Sequence, residues 1–187
     1  DNPEYHIAAA GSLLGVATNR ENISFPVGKV DELTMYPMDF REFLTALGED
    51  ALADMIAECF RSDAPLLGPL HSKAVSLYRT YLIVGGMPEC VREYLDKKDF
   101  DFVRVRHQNI LGDYTSDMAK YATKAEAVRN EAVFESIPSQ LARENKKFQY
   151  RLIGGNARSR DYEGSVRWLI KSGVVSACYK VKEGNIP

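Results

Sequence analysis

Apolar residues spaced three and four positions apart dominate the chain from about residue 39 to residue 145, which predicts an almost wholly helical stretch. Predicted helices cover residues 49–61, 69–84 and 88–95, and two longer ones follow through Tyr121 and Arg143. In the predicted helix of residues 69–84 the apolar positions are Leu70, Ala74, Leu77, Tyr78, Tyr81 and Leu82.

Local signals indicate where these helices begin and end. Asp39 is followed three positions later by Glu42, the spacing at which each side chain binds a free amide at a helix start. Gly85 and Gly86 would end the helix of residues 69–84, because glycine accepts backbone angles that close a helix. Pro88 then suits a first helical turn, where no amide donor is needed.

Three short segments resemble strands instead. Residues 5–11 are apolar with small side chains, residues 29–36 alternate in part and stop at Pro37, and residues 174–181 are rich in β-branched side chains. The predicted fold is therefore mostly α with few strands.

The C-terminal part has a characteristic order of elements. A short helix over residues 148–153 precedes a Gly-Gly-Asn turn, and a helix over 159–171 places Val166, Leu169 and Ile170 inward until Gly173 closes it. A strand and a turn at residues 183–185 follow. This is the order of a winged helix, whose second wing strand would lie beyond Pro187.

Composition narrows the class of protein. With 187 residues, 45 % hydrophobic and 27 % charged, the chain can form one large domain or two small ones with real cores. It contains no apolar run near the roughly 20 residues of a membrane span and no basic-then-apolar leader, so we expect a cytoplasmic protein without a membrane partner.

Charge is unevenly distributed although the net charge is only -2. Residues 1–142 carry 14 Lys and Arg against 22 Asp and Glu, whereas residues 143–187 carry 10 against 4. A basic module beside an acidic body makes duplex DNA the first partner to consider, with a protein partner as the alternative.

Candidate metal and nucleophile chemistry is sparse. Cys59, Cys90 and Cys178 form no CxxC pair, and the three histidines lack ligand spacing, so we expect reduced, buried thiols and no metal site. Asp113 and Asp117 lie one helical turn apart and could form an acid–base pair or bind magnesium. We favour a structural role, in which they pair with Lys120 and the nearby arginines on an exposed face.

A phosphate-binding loop is missing from the sequence. Such a loop needs glycines whose amides wrap the phosphates, followed by Lys and then Ser or Thr. The pair Gly28-Lys29 is followed by Val30, and Ile23 stands where the first glycine of the loop should be. The chain alone is therefore not expected to hydrolyse a nucleotide.

Four stretches together resemble one known family: residues 6–12 (HIAAAGS), Gly28-Lys29-Val30 through residues 37–43 (PMDFREF), residues 81–89 (YLIVGGMPE), and Tyr114-x-x-Asp117. The family comprises predicted bacterial and archaeal ATPases in which an AAA-like P-loop domain is followed by helices, a winged helix and a nuclease-like domain. The resemblance implies an interior fragment that begins after the Walker B strand and ends in or just after the winged helix.

The resemblance also assigns residue roles. It implies that the Ser12 hydroxyl orients the water attacking the γ-phosphate, although a hydroxyl that caps a turn would also suit this position. Relatives often carry arginine where this chain has Lys29, which either neutralises charge on the transferred phosphoryl group or is a solvated surface charge. Gly86 and Pro88 match a Gly-x-Pro element whose proline packs on the nucleotide; a glycine that ends one helix and a proline that begins the next explain these residues as well. ATP and magnesium would be cofactors of the intact protein and not of this fragment.

In the presumed winged helix, four cations lie on or just before the recognition helix: Arg158, Arg160, Arg167 and Lys171. They are placed where phosphates would meet such a helix. The predicted domains are a remnant of an AAA-like core (1–47), a helical lid (48–121) and the winged helix (122–187). The leading hypothesis is the sensor, lid and winged-helix portion of an ATPase. The alternatives are a DNA-binding regulator and a helical adaptor whose partner surface lies on residues 69–121.

Overall fold

The computed structural model describes residues 5–8, 10, 31 and 33–180. Within these residues the fold is mostly helical, with seven α-helices, one short 3-10 helix (Tyr150–Leu152) and no strand. The α-helices are α1 (Phe40–Ala46), α2 (Asp50–Arg61), α3 (Gly68–Val84), α4 (Pro88–Lys97), α5 (Phe100–Tyr121), α6 (Lys124–Leu141) and α7 (Ser159–Lys171). The predicted mostly α class is confirmed.

Helix ends follow the local signals of the sequence. The Asp39 carboxylate accepts from the Glu42 amide at 2.8 Å while Glu42 accepts from the Asp39 amide at 2.8 Å, which completes the predicted capping box of α1. Thr123 and Glu126 form the same arrangement before α6. Gly85 and Gly173 follow α3 and α7 with φ of 73° and 74°, angles that favour glycine.

The described residues fall into two compact units. The first unit covers residues 31–112, and the second covers residues 113–180 together with the few described residues before 31. The helix α5 contributes its first part to one unit and its last part to the other. The predicted limits of the AAA-like core, the lid and the winged helix stay predictions.

Two hydrophobic clusters form the core of the first unit. One joins α1, α3, α4 and α5 through the buried side chains Phe43, Val84, Cys90, Val91 and Val103. The other joins α1, α2 and α3 through Leu44, Leu52, Ala53 and Ala74. Since α1 and α3 contribute to both clusters, these two helices connect α2 with α4 and α5.

The second unit has a core of its own, built where α7 packs against α6. Met118, Val133 and Leu169 are fully buried there, and Val166 and Trp168 pack against them. A buried polar network holds the chain after α6: Gln140 donates to the Ser136 hydroxyl at 3.1 Å and accepts from the Gln149 amide at 2.8 Å. The predicted helix of 148–153 is present as the 3-10 turn that follows this network.

The predicted strands are absent from the residues that the structure describes. Residues 5–8 and 33–36 are exposed and lack regular structure, and residues 174–180 form no strand after α7. A strand needs a neighbouring ladder, and here the Val175 amide donates instead to the Leu169 carbonyl at 3.3 Å, closing the end of α7. Residues 10 and 31 also lack regular structure, and the remaining positions of the predicted strands lie outside the described residues.

Among the described helices, none is long and apolar enough to cross a membrane.

Candidate functional site

The turn between α3 and α4 meets the segment that enters α1. The Met38 amide donates to the Gly86 carbonyl at 2.7 Å, and the Tyr81 hydroxyl donates to the Met38 carbonyl at 2.8 Å. On the other side, His107 Nε2 lies 2.9 Å from the Val84 carbonyl oxygen. We call Met38, Tyr81, Val84, Gly86 and His107 the Gly86 joint.

Gly86 is required by how closely two backbone segments approach. A Cβ atom built on Gly86 would lie 2.2 Å from the Met38 carbonyl oxygen and 3.0 Å from its nitrogen. Both distances are shorter than normal contacts for a carbon atom, so any side chain at position 86 would push the two segments apart. The joint therefore requires glycine at position 86, in addition to any role of Gly86 in ending α3.

The chain folds into this turn for local reasons. The Gly85 amide closes α3 by donating to the Tyr81 carbonyl at 2.7 Å, and its positive φ turns the chain away from the helix. Pro88 occupies the first turn of α4, where a missing amide donor costs nothing. Its side chain is exposed and can be reached by a ligand.

Side chains of α5 hold the joint from the opposite side. A carbonyl oxygen only accepts hydrogen bonds, so the His107–Val84 contact requires that Nε2 carry the proton. The neighbouring Arg106 pairs with Glu89 and Glu93 of α4, each at 3.1 Å. Its hydrogen bond to Glu93 is the main reason that the pKa of Arg106 is raised above its ordinary value. α5 thus binds both the end of α3 and the start of α4.

Aromatic packing beneath the joint fixes Tyr81. Its ring lies 5.7 Å from the ring of Phe40 and 5.4 Å from that of Phe43. Burial, followed by the charge of Asp39, raises the pKa of the Tyr81 phenol above its ordinary value. The phenol therefore keeps its proton, and its role as a donor to Met38, across the physiological pH range.

The sequence predicts two catalytic residues, Ser12 and Lys29, and two nucleotide-binding residues, Gly86 and Pro88. Ser12 and Lys29 lie outside the described residues. Gly86 lies in the joint and Pro88 lies beside it. The approach of Met38 accounts for the glycine, and the first turn of α4 accounts for the proline. Met38, Tyr81 and His107 were not predicted as site residues, because hydrogen bonds to distant backbone atoms leave no local sequence signal.

The predicted cations of the second unit form an exposed surface on α7. Arg160, Arg167 and Lys171 are separated by seven and four positions, so they share one face of the helix, and Arg158 lies just before it. We call the three helical cations the α7 basic stripe. Arg160 lies 3.7 Å from Asp161 and Arg167 pairs with Glu163, yet both arginine side chains remain about three quarters exposed.

Gly164 lies on the same face, between Arg160 and Arg167. A Cβ atom there would meet nothing within 4 Å, so the middle of the basic stripe is open. A close surface such as a phosphate backbone could therefore approach the helix at this point.

Two shallow cavities complete the candidate surfaces. One of about 310 Å³ is almost entirely apolar and is lined by Phe40, Ile56, Cys59, Leu66, His71, Ala74, Val75 and Tyr78. The other, of about 620 Å³, is lined by Arg129, Gly154, Gly155, Asn156, Ala157, Asp161 and Tyr162. Within the described part of the chain no three His, Cys, Asp or Glu side chains come together in a way that could hold a metal ion.

The three thiols differ in exposure. All are free: Cys90 is buried, Cys59 is half-buried and Cys178 is exposed. The expectation of buried thiols is therefore correct for Cys90 and wrong for Cys178, because the segment after α7 does not form the strand that would have covered it.

No curated protein and no solved structure matches the chain. Because a family match over residues 75–186 covers more than half of the sequence, the protein belongs to the family described as Domain of unknown function (DUF8612).

Proposed function

We propose that this chain is the sensor, lid and winged-helix portion of a cytoplasmic AAA-like P-loop ATPase, and that the Gly86 joint passes the state of the nucleotide to the helices. ATP and magnesium would be bound by a phosphate-binding loop supplied outside the 187 residues, which contain none. Hydrolysis would take place in the intact protein.

The observation that carries this proposal is the contact between Met38 and Gly86. Residues 37–43 and 81–89 are two of the four stretches that resemble the ATPase family, and they are far apart in the sequence. A backbone hydrogen bond of 2.7 Å joins them. A displacement of the turn would therefore reach α1 directly, as a coupling element requires.

The residues of the joint do not form a phosphate site. The space beside Gly86 is filled by the Met38 backbone, so this glycine offers no open cradle. We propose that this chain contributes a contact with the nucleotide through the exposed Pro88. Ser12 would orient the attacking water, and Lys29 would offset negative charge on the transferred group.

ATP turnover by the intact protein tests this proposal. We expect Ser12→Ala to lower turnover by about 10-fold or more, as loss of one positioned polar group in a reacting site does. Ser72→Ala, a matched change at an exposed position of α3, should leave turnover unchanged. Wild-type protein that fails to hydrolyse ATP would contradict the proposal, whereas equal rates for both variants would remove only Ser12 from the mechanism.

A second candidate function is binding of duplex DNA, and the exposed α7 basic stripe favours it. Its arginines project from one helix face and their carboxylate partners are themselves exposed, so phosphates could reach the cations.

Fluorescence anisotropy with a labelled duplex tests this function. The double variant Arg158→Ala, Arg160→Ala should bind several-fold more weakly, while Arg79→Ala, Arg92→Ala removes the same charge from the first unit and should not. Unchanged affinity of the first variant would exclude duplex contacts at Arg158 and at the first cation of the stripe.

A further inference from the structure

Tyr81 and His107 both donate to backbone carbonyl groups of the Gly86 joint. Tyr81 donates to the Met38 carbonyl, while the Met38 amide donates to Gly86, so two hydrogen bonds hold one residue from both of its backbone groups. His107 binds the carbonyl of Val84, the last residue of α3. Met38 is thus held by Tyr81 and by the turn, while the end of α3 is held by a side chain of α5.

We infer that Tyr81 and His107 are positioning residues that make residues 38 and 85–88 move as one body, so that a change at the turn reaches α1 and α5 together. The inference deepens the proposed function and rests on it for the identity of the signal. We call the contacts of Tyr81 with Met38 and of His107 with Val84 the clamp. The clamp is observed directly among the described residues. Neither side chain needs to touch a nucleotide.

Steric fit supports the clamp. Gly86 has no room for a side chain beside Met38, so the two backbone segments can approach this closely only where the glycine faces Met38. Arg106, next to His107, pairs with both Glu89 and Glu93, so α4 is fastened to the same turn of α5. Four elements therefore converge on a few backbone atoms.

Tyr81→Phe removes the hydroxyl while keeping the ring contacts with Phe40 and Phe43. The matched control is Tyr78→Phe, one helical turn away, whose half-exposed ring packs on Phe40 and Tyr81. In amide hydrogen exchange of the 187-residue chain, we expect exchange at Met38 to be roughly three- to ten-fold faster in Tyr81→Phe, the range for loss of one hydrogen bond. Tyr78→Phe should match the wild type, and equal exchange in the two variants would overturn the inference.

His107 is tested by removal and rescue. His107→Leu removes the donor and should speed exchange across residues 84–87 by a similar factor, whereas His107→Gln retains a side-chain N–H and should restore much of the protection. If leucine and glutamine give the same exchange rates, the imidazole merely fills space and the inference fails for His107.

Coupling is then tested in the intact protein by exchange with and without Mg-ATP. In the wild type, nucleotide should change exchange at residue 38 and at residues 85–87 together. In Tyr81→Phe, the turn should respond while residue 38 no longer does. A concerted response that survives in Tyr81→Phe overturns the inference. A wild type that shows no response overturns the proposed function instead, and the exchange rates without nucleotide still decide on the clamp.

Discussion

Gly86 and Gly164 differ in how much space surrounds the position that a side chain would occupy. At position 86 a Cβ atom would lie 2.2 Å from the Met38 carbonyl oxygen, whereas at position 164 it would meet nothing within 4 Å. The first position requires glycine for reasons of space. The second lies inside α7, where glycine only weakens the helix.

Alanine substitution at these two positions should therefore act in opposite directions. Gly86→Ala should lower the free energy of unfolding by about 1–3 kcal/mol, since the added carbon forces Met38 away from the turn. Gly164→Ala should raise it by about 0.5–1 kcal/mol, because alanine restricts the unfolded chain and favours helix. Urea unfolding followed by circular dichroism measures both changes. Shifts of the same sign would show that the Met38 contact does not select glycine.

Thiol reactivity should follow exposure in the same way. Burial is the main reason that the pKa of the Cys90 thiol is raised, and a raised pKa leaves less of the reactive thiolate at neutral pH. We expect Cys178 to be alkylated first, Cys59 more slowly, and Cys90 only when the protein unfolds. Mass spectrometry of partly alkylated protein gives the order, and Cys178→Ser should abolish the fast phase. Native Cys90 reacting as fast as Cys178 would contradict the buried position.

Residue by residue, the sequence predicts what neighbouring residues decide. The capping pair Asp39 and Glu42 could be recognised because its partners are three positions apart. The bond from Tyr81 to Met38 spans 43 positions and depends on how α1 packs, which a single sequence does not encode in any short pattern. This difference in range explains why the sequence draws attention to Gly86 but not to the hydrogen-bonding side chains of the joint.

At the scale of elements, the end of α6 is held by a polar side chain rather than by apolar packing. Gln140 is 4 % exposed and makes both of its hydrogen bonds inside the protein, to Ser136 and to the Gln149 amide. Because Gln149 precedes the 3-10 turn, this glutamine directs the chain from α6 towards α7.

Replacing Gln140 by leucine should thus be costly. It leaves the half-buried Gln149 amide without its acceptor, and we expect a loss of about 1–3 kcal/mol in the free energy of unfolding. Gln108→Leu, an equal change at an exposed position of α5, should stay within about 0.5 kcal/mol of the wild type. Thermal or urea unfolding compares the two. If both variants behave alike, the buried network does not stabilise the second unit.

Helices and strands differ in how well their own residues specify them. Residues 159–171 were predicted as a helix and are α7, because helix bonds and the apolar stripe are both local. Residues 33–36 have apolar side chains typical of a strand but stay exposed, with Leu33 at 90 %, because a strand requires a partner. The same reason applies to residues 174–180, where the amide of Val175 is used to close α7.

At the scale of the whole molecule, the two candidate functional surfaces lie in different parts of the chain. The Gly86 joint lies in the first unit, and the α7 basic stripe lies in the second. The excess of positive charge in residues 143–187 was visible in the sequence, but the sharing of one exposed face by Arg160, Arg167 and Lys171 depends on α7 burying Leu169 on its other side. A nucleotide signal and a polyanion contact would thus involve different residues.

Salt dependence gives the sharpest test of the basic stripe, because cations that neutralise phosphates release bound counterions. Duplex affinity of the wild type should fall steeply with salt. In the triple variant Arg160→Ala, Arg167→Ala, Lys171→Ala, the slope of log K against log salt should fall by about one for each phosphate that is no longer neutralised. Anisotropy titrations at several salt concentrations measure this slope.

The control removes three exposed arginines of the first unit, Arg79, Arg92 and Arg104. It lowers the net charge by the same amount, so equal slopes in the two triple variants would show that total charge, and not the α7 face, attracts the nucleic acid.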